Sequence, residues 1–137
     1  MTVPRGTSFL AGIVLVGTLA ALAIPEPRAE GMIASTSEAE VCASDGLPGS
    51  AYSRTHRVVK RRGVPGHQID HILPLALGGA DNDANIQIQP IEEALEKDRL
   101  EKYAAIMVCR YQRVPLAEAQ EWFTSGNWRE QMWRIER

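Results

Sequence analysis

The spacing of hydrophobic and polar residues changes several times along the chain, and each change predicts a different element. An almost unbroken apolar run covers 9–24 near the N-terminus. Further on, Ile86–Gln89 alternates with period 2, which predicts a short strand with one buried face. His67–Ile72 follows a turn-forming segment and predicts an earlier strand, and Leu77–Asp83 forms a loop between the two. We therefore expect a short two-stranded hairpin.

After the hairpin the pattern becomes helical. Pro90 opens a long predicted helix, Ile91–Tyr111, with acidic residues in its first turn. The residues predicted to form its buried stripe are Leu100, Tyr103, Ala104, Met107 and Tyr111. Two shorter helices are predicted at Leu116–Phe123 and Trp128–Ile135. The pattern as a whole predicts an α+β fold with a two-stranded hairpin, a long helix and C-terminal helices.

The apolar run at 9–24 has the layout of a secretory signal. Arg5 precedes it, and small residues after it offer cut sites behind Ala23 or Ala29. As a helix, about 16 residues span roughly 24 Å, which is less than the roughly 30 Å hydrocarbon core of a bilayer. We therefore expect residues 1–29 to be removed, with no lasting membrane anchor and a secreted or periplasmic product.

Length and charge narrow the classes of function. The 137 residues leave room for one domain, which excludes multidomain enzymes and barrel folds. Residues 30–50 have no sustained period and predict a flexible lead-in, so the domain is expected at 51–137. Because the net charge is only −2, nucleic acid could be bound only through a local patch. A dense basic cluster, either a solvated surface or a phosphate-binding stripe, contains Arg54, Arg57, Lys60, Arg61 and Arg62.

The two cysteines, Cys42 and Cys109, predict a disulfide. Export permits the bond, and two distant cysteines without a close pair make a poor zinc site. In the chain-entropy model, closing a loop of this length stabilises a protein by about 4 kcal/mol. The alternative is two unrelated thiols, or one thiol that binds a metal.

Candidate chemistry begins at Asp70 and His71, which are adjacent on the first predicted strand. Neighbouring side chains on a strand point to opposite faces, unless a twist or bulge lets both reach one pocket. A neutral imidazole accepts a proton from water near pH 7, and a divalent ion held by a carboxylate neutralises charge on a phosphate. The dipeptide alone is a weak signal, because it occurs by chance in many proteins.

The wider series of motifs resembles the HNH endonucleases of the ββα-metal class, and is closest to small secreted bacterial HNH-type proteins. The resemblance covers about 52–130, and its elements in order are Asp70–Pro74, Gly78–Gly79, Asn85, Gln89–Pro90, Lys97–Glu101, Val108–Cys109, Ala119–Gln120 and Trp128. Several spaced elements in the same order make the resemblance specific.

The resemblance implies a role for each matching side chain. His71 would be the general base that activates water, and Asp70 would bind a single divalent metal ion. Asn85 would also belong to the catalytic set, as a loop clamp that holds the strand of His71 in register. The side chains that would contact phosphates are Arg54, Arg57 and Lys97.

The chain departs from the family where the last metal ligand is expected. In the first turns of the helix the family usually has His or Asn, whereas this chain has Glu93. Together with Asp70, Glu93 would favour Mg²⁺ or Mn²⁺ over zinc, because hard cations prefer oxygen ligands. The alternative is that Glu93 only complements the helix N-terminus and that the site is degenerate.

The expected function is that of a secreted, metal-dependent endonuclease of low sequence specificity that hydrolyses phosphodiester bonds, with DNA favoured over RNA as the partner. Two other functions stay open. One is a non-catalytic module that binds nucleic acid or another partner on the same scaffold. The other is a secreted structural domain in which Asp70 and His71 only bond each other.

Overall fold

The computed structural model describes residues 30–43, 56–57 and 59–137 of the chain. The predicted signal at 1–29, the second part of the predicted lead-in at 44–50, and Arg54 lie outside these residues. In chain order the helices and strands are α1 (Glu38–Cys42), β1 (His67–His71), β2 (Ile86–Pro90), α2 (Ile91–Ala105), α3 (Leu116–Thr124) and α4 (Trp128–Ile135). The predicted α+β fold with a hairpin and several helices is confirmed. None of the described helices is long and apolar enough to cross a membrane.

The two strands form an antiparallel pair in which Asp70 lies opposite Gln87 and His71 lies opposite Ile86. Side chains alternate between the faces of a strand, so Asp70 and His71 leave β1 in opposite directions. The face that carries Asp70 packs on α2, where Lys97 donates a hydrogen bond to its carboxylate. The hairpin therefore has one face on the long helix, and His71 leaves the end of β1 on the other side, where it still lines one cavity together with Asp70.

The long helix buries a stripe that only partly matches the one the sequence predicts. Leu100 and Ala104 are fully buried, and Tyr103 is partly buried against the same core. Tyr111, predicted as the end of this stripe, is instead 56% exposed. The reason is a π-helical turn, Ile106–Arg110, that follows α2. A π turn inserts extra residues relative to the α-helical period, so residues beyond it are rotated away from the core.

Residues 30–43, which we name the N-terminal strap, lie across the loop between the strands. The backbone N–H of Ser35 donates to Gly78 O, and that of Ala80 donates to Met32 O. The side chain of Gln120, from α3, adds hydrogen bonds from Nε2 to Ser35 O and Leu77 O. Gly78 has φ +83°, and a Cβ atom there would collide with the backbone O of Ser35. The loop therefore needs glycine for the strap to approach this closely.

The predicted Cys42–Cys109 disulfide is confirmed, with the two Cα atoms 5.2 Å apart. It joins α1, at the end of the strap, to the π-helical turn that follows α2. A disulfide suits an oxidising compartment.

Replacing both cysteines by serine should lower the free energy of unfolding by about 4 kcal/mol, because the bond closes a loop of 67 residues in the unfolded chain. Urea unfolding of the oxidised protein and of the Cys42→Ser, Cys109→Ser double variant measures this loss. A reducing agent should destabilise the parent to the same extent and leave the double variant unchanged. Equal midpoints for oxidised parent and variant would contradict the expectation.

Candidate functional site

His71 lies at the end of β1 with its side chain only 8% exposed. Its Nε2 atom is 2.9 Å from Oδ1 of Asp81, a carboxylate from the loop before β2 that is 1% exposed. Asp81 also accepts hydrogen bonds from the backbone N–H of Val59 and from Nη1 of Arg61. Since a carboxylate can only accept, Nε2 carries the proton of the neutral ring and Nδ1 keeps its lone pair. Nδ1 has no hydrogen-bond partner in the described part of the chain.

The environment keeps this imidazole neutral. Burial lowers the pKa of His71 below its ordinary value of 6.5, and the charge of Arg57 acts in the same direction. The hydrogen bond to Asp81 opposes this shift in the pKa without overcoming it. At pH 7 the side chain is therefore a neutral base with one nitrogen fixed by a carboxylate.

Asn85 holds the loop that carries Asp81. Its side chain is fully buried, Oδ1 accepts a hydrogen bond from Leu73 N at 2.8 Å, and Nδ2 donates to Leu73 O and Ala80 O at 2.9 Å each. An amide supplies the donors and the acceptor that these backbone groups require. With these bonds, Asn85 clamps the loop at Ala80, the residue directly before Asp81.

Lys97, predicted to contact phosphate, is instead buried beneath the hairpin with a side chain that is 1% exposed. Its ammonium group donates to Oδ2 of Asp70 at 2.8 Å, to the backbone O of His71 at 2.7 Å, and to Oε1 of Glu101. An ammonium has three N–H donors, so all of them are occupied. The phosphate-binding role is therefore corrected: Lys97 anchors Asp70 and the end of β1.

Among residues 30–43, 56–57 and 59–137, one group of side chains could hold a metal ion. It consists of three carboxylates beside Lys97. Oxygen atoms of Asp70, Asp98 and Glu101 lie within 4.8 Å of one another. Oxygen ligands of this kind suit Mg²⁺ or Mn²⁺. Burial raises the pKa of Glu101 to about 7 despite the attraction of Lys97, so a cation would compete there with a proton and with the ammonium. The hydrogen bonds from Lys97 use Oδ2 of Asp70 and Oε1 of Glu101, which leaves the other oxygen of each carboxylate for a metal.

Glu93, predicted as the metal ligand on the helix, lies outside this group. Its carboxylate forms an ion pair with Arg129 of α4. Glu101 takes the expected place instead, because it lies about two turns further along α2, beside Asp70. The expectation that Glu93 shares a site with Asp70 is therefore corrected: Glu93 lies apart from Asp70, and the carboxylate of α2 that lies near Asp70 is that of Glu101.

His71 and the carboxylates share a cavity of about 280 Å³, although His71 is not itself a member of the ligand group. Arg57, an exposed residue, also lines this cavity. The cavity thus combines a neutral base, a cation on the rim and three acids. Comparisons with family models, with curated proteins and with solved structures give no match. The resemblance to HNH endonucleases therefore stays a prediction that rests on the motifs.

Sequence reasoning missed three residues of this site, namely Asp81, Asp98 and Glu101. The spacing of Lys97 and Glu101, four positions apart on a helix, is a usable signal for their ion pair. Asp81 gives no such signal, since it belongs to a loop rich in turn-forming residues and meets His71 only through the fold.

Proposed function

We propose that the protein is a metal-dependent endonuclease that hydrolyses phosphodiester bonds in nucleic acids, with DNA favoured over RNA and with low sequence specificity. The observation that carries this proposal is the state of His71, a neutral imidazole with Nε2 fixed by Asp81 and Nδ1 without a partner. A base held in this way suits proton transfer from water. The adjacent carboxylates and Arg57 supply the other charges that phosphate hydrolysis requires.

In the proposed reaction, Nδ1 of His71 takes a proton from a water molecule, whose oxygen attacks the phosphorus atom. The bond from phosphorus to the 3′-oxygen breaks, and that oxygen takes up a proton from solvent, which gives 5′-phosphate and 3′-hydroxyl ends. A divalent ion bound by Asp70, Asp98 and Glu101 would neutralise charge on the phosphate. Lys97 holds Asp70 in place, and Arg57 attracts the substrate backbone. Contacts with phosphate carry no sequence information, which fits low specificity.

Incubation of the purified protein with supercoiled plasmid tests this function. With Mg²⁺ or Mn²⁺ we expect nicked and linear DNA, and with excess chelator we expect none. Glu101→Gln should raise the Mn²⁺ concentration needed for half-maximal cleavage by about tenfold or more, because it removes a ligand charge. Glu92→Gln, an exposed change on the same helix, is the matched control. Cleavage that continues in excess chelator would refute the metal requirement. Intact plasmid under all conditions would refute the proposed nuclease activity.

One observation favours a second candidate, a non-catalytic nucleic-acid-binding module. Lys97 already places a positive charge between Asp70 and Glu101, where a metal would otherwise compensate them. In that case the plasmid would be retarded in a gel without being cut, and binding would weaken steeply as salt is added.

A further inference from the structure

A second cavity, of about 200 Å³, lies beside His71. Its described lining residues are Arg57, Val59, Arg61, Gly63, Ile69, His71 and Ile86. The two cavities share Arg57, Ile69 and His71, but their charges differ. The larger cavity contains three acids, whereas the described lining of the smaller one contains two guanidinium groups and no carboxylate. The smaller cavity therefore favours an anion.

Arg61 lines this cavity, and its guanidinium group has an unused donor. Its Nη1 atom bonds to Asp81, which fixes the guanidinium plane. Its Nη2 atom is buried and has no hydrogen-bond partner. A carboxylate oxygen on the exposed side chain of Asp83 is 3.7 Å from Nη2, which is within ion-pair range but outside hydrogen-bond distance. A buried N–H group without an acceptor is unfavourable, so a ligand oxygen would be bound here readily.

We propose that this smaller cavity is a second phosphate subsite, in which Arg61 and Arg57 hold the phosphate next to the one that is cleaved. The inference rests on the proposed nuclease function and deepens it by naming the substrate class. Guanidinium groups match the geometry of phosphate oxygens. Because the cavities meet at His71, a phosphate at Arg61 places its neighbour in the chain beside the base. The preferred substrate is then a strand with at least two successive phosphates.

Binding of inorganic phosphate tests the subsite without catalysis. Titration of the ¹⁵N-labelled protein with inorganic phosphate should shift the ring signals of His71 in a saturable way. In Arg61→Gln, which keeps a donor for Asp81, the apparent Kd should rise by about 10- to 100-fold. Arg99→Gln removes a guanidinium that is 63% exposed on α2, and should leave the titration unchanged. Equal titrations of Arg61→Gln and the parent would overturn the subsite.

Kinetics on short substrates distinguish a bound chain from free phosphate. We compare two dinucleotides, one of which carries an additional terminal phosphate at its 5′ or its 3′ end. In Arg61→Gln, the KM for the dinucleotide with the terminal phosphate should rise by about 10- to 100-fold more than the KM for the dinucleotide without it. An equal rise for both substrates would overturn the subsite. Loss of phosphate binding in Arg61→Gln, in a protein that cuts no substrate, would support the subsite and refute the nuclease.

Discussion

His71→Gln should lower the rate of plasmid cleavage by about 10²- to 10⁴-fold, the usual cost of losing a general base. Glutamine retains an N–H group that can donate to Asp81, but it has no nitrogen that accepts a proton near pH 7. The variant should therefore fold and bind DNA while cleaving it poorly. Initial rates under saturating Mn²⁺, together with the melting temperature, measure both properties.

His67→Gln is the control for this change, because His67 is exposed on the same strand and its side chain bonds only to the backbone O of Pro65 among the described residues. It should keep the parental rate. A His71→Gln protein with full activity, or an equal loss in His67→Gln, would contradict the assignment of the base.

The pH dependence of the parent gives an independent measure of the same group. Saturating Mn²⁺ displaces the proton of Glu101, so under that condition the acid side of the profile reports His71. Since burial lowers the pKa of His71 and only the neutral ring accepts a proton, kcat/KM at saturating Mn²⁺ should fall as acid is added, with a midpoint below pH 6.5. Asp81→Asn removes a charge that raises this pKa, so the midpoint should move to still lower pH. A midpoint at or above pH 7 would contradict the buried, neutral state of the ring.

Lys97→Met should lower the free energy of unfolding by about 3–5 kcal/mol. It removes the buried ammonium that pairs with Asp70 and Glu101, and leaves these two carboxylates without a compensating charge. Methionine fills a similar volume but cannot donate to Asp70, Glu101 or the backbone O of His71. The loss should be larger at pH 8 than at pH 5, since burial raises the pKa of Glu101 to about 7, so its carboxyl group is neutral at pH 5 and charged at pH 8. Urea unfolding at the two pH values measures the difference.

Lys102→Met provides the comparison for this variant, since Lys102 is exposed on the same helix. Its free energy of unfolding should change by no more than about 0.5 kcal/mol. A Lys97→Met protein as stable as Lys102→Met at pH 8 would show that the buried ammonium contributes nothing to the fold.

The hairpin could be predicted from the sequence because its signals are local. The predicted strands, His67–Ile72 and Ile86–Gln89, each differ from the observed β1 and β2 by one residue at one end. Alternation and the neighbouring turn formers act within a few residues, so no knowledge of the fold is needed. Tyr111 could not be placed in the same way, because the π-helical turn before it changes the helical period.

The site was less predictable, because its contacts join distant parts of the chain. A lysine in an amphipathic helix is normally expected in solvent, yet Lys97 is buried because Asp70, 27 positions earlier, accepts its hydrogen bond. Asp81 meets His71 through a loop that the side chain of Asn85 holds in place. Asp70 and His71 themselves could be identified from the motif, because a motif of neighbouring residues is visible in the sequence without knowledge of the fold.

Because Lys97 is buried, the rate at which its amine is chemically modified reports how often the domain opens. Amine-directed reagents attack an uncharged, accessible amine, so they should modify Lys60 and Lys102 within the native protein. The amine of Lys97, 1% exposed and bonded three times, becomes reactive only when α2 separates from the hairpin. The labelling rate of Lys97 therefore measures the frequency of opening under native conditions. Mass spectrometry of the peptide that contains Lys97 follows this rate.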